Sequence, residues 1–517
     1  MAYVIVPNSS GGGRASSQGQ VATLLTVIPD GDAKRAVGAT AYGPHQDDEY
    51  RLLRPGAIPF AADGGFTAST RILIDRDERF QTMLGLGAAM TDSSAWLLMQ
   101  LKARNEGLYE YVARKLFSPA EGAGFSALRL PIGASDYTAT TSYYTYCDTE
   151  SWDMSAFSIA HDEEYVIPAI KEAQRINPEI VIIASPWSPP AWMKTSGSLI
   201  GITEEEKKAG AVNALRQDCF SIYAEYLVKF VEAYRDAGIE IDALTLQNEP
   251  QCDDTRYPCM RMNESDQIAL VKELGPMLRR AGLATWIYIH DHNWILHPND
   301  RNVVAGDRKL EPLESARRIM SDPDAGPYIA GSAWHCYSGG PKDIEAVCES
   351  LLREFPDKDL ICTELSGWGK TRGDWFGGVL WGMRNNWLGS IQNGCTVSLQ
   401  WNLALDERHG PSLRTDSEGI GLVTIRPDRF DSALFEREFY AMAQVSRAAR
   451  PGSQRCRALV TGEEAKGLET AAFALRDGGT SLVVFNEGDE ERHFQVEPDG
   501  RRFEYTLPGR SIATFVW

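Results

Sequence analysis

Glu249 and Glu364 stand out as two carboxyls that could work as a pair. Each follows a neutral, mostly apolar run, ALTLQN before Glu249 and LICT before Glu364, so neither reads as a solvated surface charge. Two carboxyls that converge on one acetal can divide its cleavage between them. One protonates the leaving oxygen while the other attacks the anomeric carbon. Trp187, Tyr337 and Trp401 end comparable runs, and aromatic rings stack on the C–H faces of sugars. Three other arrangements compete with this one. Both glutamates could be structural, ion-paired with Arg129. His290, Asp291, His292, His297 and His335 could serve a metal-dependent hydrolase, since H-x-H at a strand end is a ligand motif. A sugar-binding protein could keep the aromatics without catalysis, but it would be expected to have lost one of the two glutamates.

The elements that must position these residues repeat eight times between about residues 80 and 405. A short apolar run ends in a polar or aromatic residue, and a helical pattern follows. The runs cover 83–92, 125–133, 180–188, 241–250, 285–294, 329–337, 359–367 and 395–405. In the stretch 220–237 the large apolar residues fall on one face of a 3.6-residue period, and Gly238 follows where a helix ends. Strand and helix alternating eight times predict an α/β fold, a closed (β/α)₈ TIM barrel. Such barrels build their sites at the C-terminal ends of the strands, which selects Asp92, Arg129, Trp187, Asn248, Glu249, His290 to His292, His335, Tyr337, Glu364 and Trp401. Outside the repeat, 468–486 reads as two strands around Asp-Gly-Gly, and 503–517 as a hairpin bent at Pro-Gly. With the strand-like 21–28 and 71–75, both chain ends are expected to form one β-sandwich. The predicted organisation is 1–75 for the N-terminal strands of the sandwich, 76–445 for the barrel and 446–517 for the C-terminal sandwich.

The 517 residues carry a formal net charge of −19, which disfavours nucleic acid and anionic membrane surfaces as partners. No apolar run approaches the ~20 residues that span a bilayer. Nine cysteines, an odd number without disulfide or zinc spacing, suit a reducing compartment. The first twenty residues lack a basic segment followed by an apolar core, so a cytoplasmic location is expected. A homo-oligomer is compatible with all of this.

Several segments resemble glycoside hydrolase family 30, the glucosylceramidase family of retaining β-glycosidases. They include GLGAAMTDSSA (85–95), LRLPIGASDY (128–137), ASPWSPPAWMKTSG (184–197), LQNEP (246–250), AWHCY (333–337), TELSG (363–367) and WNLAL (401–405). ASPWSPPAWMKTSG is the most specific of them. The resemblance implies that Glu249 is the general acid/base and Glu364 the nucleophile. It implies that Asn248 contacts the sugar 2-OH, and that Asp92, Trp187 and Trp401 hold its O3, O4 and O6 side. Arg129 and Tyr337 would orient Glu364, and His335 would line the same wall. No metal or cofactor is implied. The expected activity is removal of a terminal β-linked sugar, glucose above all, from a small soluble glycoside or oligosaccharide rather than a membrane lipid. β-1,6-Glucanase, β-xylosidase and β-fucosidase activities of the same family are the alternatives, and RYPCM (256–260) resembles the bacterial glucosidase and β-1,6-glucanase branches. The loops 363–378 and 406–421 depart from the family pattern and are expected to border the leaving-group side.

Overall fold

The computed structural model describes residues 20–27, 56–60, 68–297, 310–371, 375–462, 465–498 and 501–517. Eight parallel strands close a barrel. They are β1 (Gly85–Ala89), β2 (Ala127–Ile132), β3 (Val181–Pro186), β4 (Ala243–Thr245), β5 (Trp286–Asn293), β6 (Ile329–His335), β7 (Asp359–Glu364) and β8 (Cys395–Gln400). Neighbours in sequence are neighbours in the ring, and β8 pairs with β1 to complete it. All eight predicted runs contain a barrel strand.

Alternation along these strands stacks the barrel interior in layers. Ala127, Ile183, Ala243, Tyr288, Ala333, Ile361 and Val397 form a buried apolar plug. Two residues further along four of these strands the inward side chains are Arg129, Ser185, Thr245 and Thr363, all buried. The functional layer is thus the next step of a period of two above an apolar floor. On β5 the period breaks. Its register against β6 shifts between His290 and His292, and His290 and Asp291 have φ of 76° and 49°. Such a bulge inserts a residue and re-aims those around it. Asp291, not His290, therefore takes the inward place.

The sandwich is one nine-stranded sheet curled on itself. Its order is Gly56–Pro59, Gln20–Val27, Ser511–Val516, Thr480–Asn486, Leu468–Ala474, Gln454–Thr461, Thr70–Thr82, Arg492–Pro498 and Phe503–Leu507. Phe494 and Phe515, from strands far apart in that order, meet with ring centroids 6.3 Å apart, so the two ends of the sheet face each other. Strands Leu468–Ala474 and Thr480–Asn486 form the expected hairpin. The second expected hairpin is corrected: Phe503–Leu507 pairs with Arg492–Pro498, whereas Ser511–Val516 pairs with Gln20–Val27 and Thr480–Asn486. The Pro508-Gly509 bend carries the chain across to the opposite layer, where the strand finds partners on both sides. Helix Arg437–Ala448 joins the two units. Thr514 Oγ1 donates to Gln444 O at 2.9 Å and Ser481 Oγ to Ala448 O at 2.6 Å. All nine cysteines are free thiols, and among the described residues no helix is long and apolar enough to cross a membrane.

Candidate active site

The C-terminal mouth of the barrel opens into a cavity of about 700 Å³ lined by Trp187, Asn248, Glu249, His292, Tyr337, Glu364 and Trp401, among others. Arg129 lies beneath it, fully buried, and ties the site together. Its Nη1 donates to Glu364 Oε2, and its Nη2 donates to Asn248 Oδ1 at 2.7 Å and Asp291 Oδ2 at 2.8 Å. The guanidinium also lies 4.9 Å from the ring centroid of Trp187 and 5.5 Å from that of Trp401. Those two indoles stack at 4.9 Å and 19°, making an aromatic wall backed by a cation.

Asp291 is the counter-charge that makes a buried arginine tolerable. Its carboxylate accepts hydroxyl hydrogens from Ser185 at 2.8 Å, Thr245 at 2.6 Å and Thr363 at 2.7 Å, donors from three strands. Burial alone would raise its pKa, but Arg129, His335 and these donors hold the carboxyl well below the usual carboxylate range. His335 meets Asp291 through Nε2 at 3.2 Å and Glu249 Oε1 through Nδ1 at 3.3 Å. Burial opposes charge on this imidazole, yet Glu364, Asp291 and Glu249 together raise its pKa to about 10.

His335 Nδ1 also lies 3.9 Å from Glu364 Oε1. With legs of 3.3 and 3.9 Å from one nitrogen, the two glutamate oxygens lie closer than the widest gaps, ~9.5 Å, of inverting carboxyl pairs, and the ~5–5.5 Å of a retaining pair falls within their reach. Their surroundings differ. Glu364 receives the Arg129 guanidinium and the Tyr337 hydroxyl, the latter at 2.8 Å. Glu249 is the more exposed side chain, 17% against 7%, and sits in the left-handed region at φ 45°. Non-glycine residues held there cost about 1–3 kcal/mol and cluster at functional sites.

Of the residues anticipated from sequence, Trp187, Asn248, Glu249, Tyr337, Glu364 and Trp401 reach the cavity wall, while Arg129 and His335 support it from behind. Asp92 stands apart from this group. It is buried, does not line the cavity, and its carboxylate is consumed by Ala139 N, Tyr165 OH and His161 Nε2 at 2.6–2.8 Å. Thr91 caps the helix Asp92–Arg104, which turns Asp92 toward the loop after β2. Asp136, which sequence reasoning missed, is among the carboxylates that do reach the cavity. Burial raises its pKa to about 7, against the pull of Arg414 at 3.5 Å. Its signal was available: it follows the end of β2 within the segment GASDY.

Both loops that depart from the family pattern contribute to the wall, through Trp368 and Lys370 and through Arg414 and Glu418. Arg414 bridges Asp136 and the ring of Tyr257, which it covers at 5.2 Å. The five residues of the metal-dependent alternative separate. His290 turns away to contact Trp334, burial lowering its pKa to about 3, and Asp291 is committed to Arg129. His297 lines the cavity. Among the described residues only His292 and His335 join Glu249 in a group whose ligand atoms lie within 4.8 Å of one another.

Residues 83–448 match the glycosyl hydrolase family 30 TIM-barrel domain, and residues 452–515 the glycosyl hydrolase family 30 beta sandwich domain. The chain belongs to glycoside hydrolase family 30. Among its relatives is the endo-1,6-beta-D-glucanase neg1 of Aspergillus fumigatus, 28% identical, with 93% of this chain and 95% of the relative covered. The lysosomal acid glucosylceramidase of Mus musculus is 29% identical over 86% of this chain and 83% of its own. A solved structure, the endo-beta1,6-glucanase BT3312, superposes with a TM-score of 0.81 at 28% identity, covering 97% of this chain and 99% of that one. As a family 30 member the protein is a glycoside hydrolase, and the fold expected from sequence is the family's barrel and sandwich.

Proposed function

We propose that this hydrolase is an endo-acting β-1,6-glucanase that works by double displacement. The expectation of a terminal-sugar β-glucosidase gives way to the alternative kept beside it. The observation that carries the proposal is the near full-length likeness to endo-1,6-β-D-glucanases in both sequence and structure. The cavity supports it. Past the catalytic pair it continues along Tyr257, Arg414, Trp368 and Trp381, more length than one hexose needs.

In this mechanism Glu364 attacks the anomeric carbon. The Arg129 guanidinium and Tyr337 hydroxyl keep it ionised and aimed. Glu249 protonates the departing oxygen, and then takes a proton from the water that releases the sugar. Arg129 holds Asn248 by its Oδ1, leaving the amide NH₂ to address the sugar 2-OH. Asp136 and the Trp187–Trp401 wall supply the opposite side of the ring.

A linear β-1,6-glucan should be cleaved to a ladder of oligosaccharides, faster than β-1,3- or β-1,4-glucans, xylan or glucosylceramide. Glucose alone as the first product, or preference for another linkage, would overturn the assignment. The two glutamates are separated with azide. Glu249→Ala should accept azide and give a β-glycosyl azide from a 2,4-dinitrophenyl glycoside, while Glu364→Ala should give the α-azide. The opposite pairing would reverse their roles.

A further inference from the structure

The group Glu249, His292 and His335 is not explained by acid–base chemistry alone. We infer that it is a zinc-binding site that blocks the enzyme reversibly, by taking the acid/base carboxylate as a ligand. The inhibitory half of this inference rests on Glu249 being the acid/base; the binding half does not.

The distances fit a small metal shell. Zinc holds imidazole nitrogen and carboxylate oxygen at about 2.0–2.2 Å, so a tetrahedral shell sets its ligands about 3.3 Å apart. His335 Nδ1 lies 3.3 Å from Glu249 Oε1 and His292 Nδ1 lies 3.8 Å from the same oxygen. All three ligand atoms fall within 4.8 Å of one another. Small closing movements of side chains complete three corners, and two of the three residues line the cavity, so the fourth corner opens to water.

The outer shell is built as well. A metal-bound histidine is commonly oriented by a carboxylate on its other nitrogen. Asp291 Oδ1 stands 3.2 Å from His335 Nε2, and Thr363 and Arg129 hold that carboxylate in place. This fixes the edge of the ring that carries Nδ1 toward Glu249. The field also suits a dication. Glu249, Glu364 and Asp291 surround the position, with Arg129 as the guanidinium partner of the last two. In the binding step Zn²⁺ enters, the His335 imidazolium (from Nδ1) and the Glu249 carboxyl each release a proton to water, and nothing is oxidised or reduced. Nucleophile and sugar wall stay in place, but no proton donor remains for the leaving oxygen.

The test is titration of the metal-stripped, full-length protein with Zn²⁺ by calorimetry, and by competition with a chromophoric chelator. One ion should bind per chain. Glu249→Gln and His292→Gln should each weaken binding by ~10-fold or more, the scale of losses at such sites. Cys252→Ser, which removes the thiol lining the same cavity, should leave Zn²⁺ affinity unchanged. Zinc should also inhibit β-glucan hydrolysis at concentrations matching this affinity, with recovery on chelation. Circular dichroism confirms that each variant is folded, and either variant alone suffices to decide. Binding unaffected in either folded variant, or lost with Cys252→Ser, overturns the site. Binding as expected without inhibition overturns only the blocking role, and the azide products above then show whether Glu249 is the acid/base at all.

Discussion

At the scale of single residues, the two glutamates are chemically alike and are told apart by their neighbours. Glu364 has a guanidinium and a phenol hydroxyl; Glu249 has an imidazole and partial exposure. Replacing Glu364 by Ala should lower kcat by ~10³-fold or more with every leaving group, because the covalent step is lost. Replacing Glu249 by Ala should cost ~10²–10⁴-fold with natural glucans and far less for glycosylation by a dinitrophenyl glycoside. Steady-state and burst kinetics on both substrates check this pair. Arg129 answers two carboxylates at once, so Arg129→Ala leaves uncompensated buried charge and should destabilise the fold by about 3–5 kcal/mol. His335 has a folded pKa of about 10, above the ordinary 6.5 of imidazole. The stability it contributes is therefore complete below pH 6.5 and drains away as pH rises through about 10. Melting temperature between pH 6 and 10 should fall more steeply for the native protein than for His335→Gln, and equal slopes would remove His335 from that role.

At the scale of elements, strand contact and the β5 bulge set the site. A Cβ added at Gly87 on β1 would stand 1.8 Å from Ala127 O on β2, so only glycine lets these strands close. Gly107, within helix Glu106–Phe117, has nothing within 4 Å. Gly87→Ala should lower the melting temperature sharply or abolish soluble expression. Gly107→Ala should raise stability by about 0.5–1 kcal/mol, because alanine is the better helix former. Denaturant titration of both variants tests the contrast, and a tolerated Gly87→Ala would contradict the packing of β1 on β2. The bulge explains why counting along β5 by twos ends on His290 while the structure presents Asp291. An inserted residue leaves no mark on the polarity pattern when its neighbours are His, Asp, His and Asn.

At the scale of the whole molecule, the sandwich acts as part of the barrel's outer wall. Helix Arg437–Ala448 is buried along most of its length between the two, with Thr514 and Ser481 bonded to its last turns. Unfolding the sandwich would bare that helix to water. Calorimetry should therefore show one cooperative transition, and truncation after residue 450 should yield aggregated protein. Two well-separated transitions, or a soluble active barrel, would show that the units are independent.

The order of strands, the closure of the barrel and the two catalytic candidates were legible in sequence because all three depend on local period. Eight apolar runs with helices between them have few ways to close, and the C-terminal ends of the strands then ring the mouth. Which carboxylate reaches the cavity was not legible. Asp92 and Asp136 both follow barrel strands closely, and only the helix cap at Thr91 and the folding back of the loop after β2 commit the first to structure. The same holds for Asp291, aimed by a bulge, and for Ser511–Val516, which leaves its neighbour across Pro-Gly to pair with the distant N-terminal strand. Local pattern records which face a residue prefers. Which partner awaits it there is decided by contacts between segments distant along the chain, and only the closed tertiary structure brings those together.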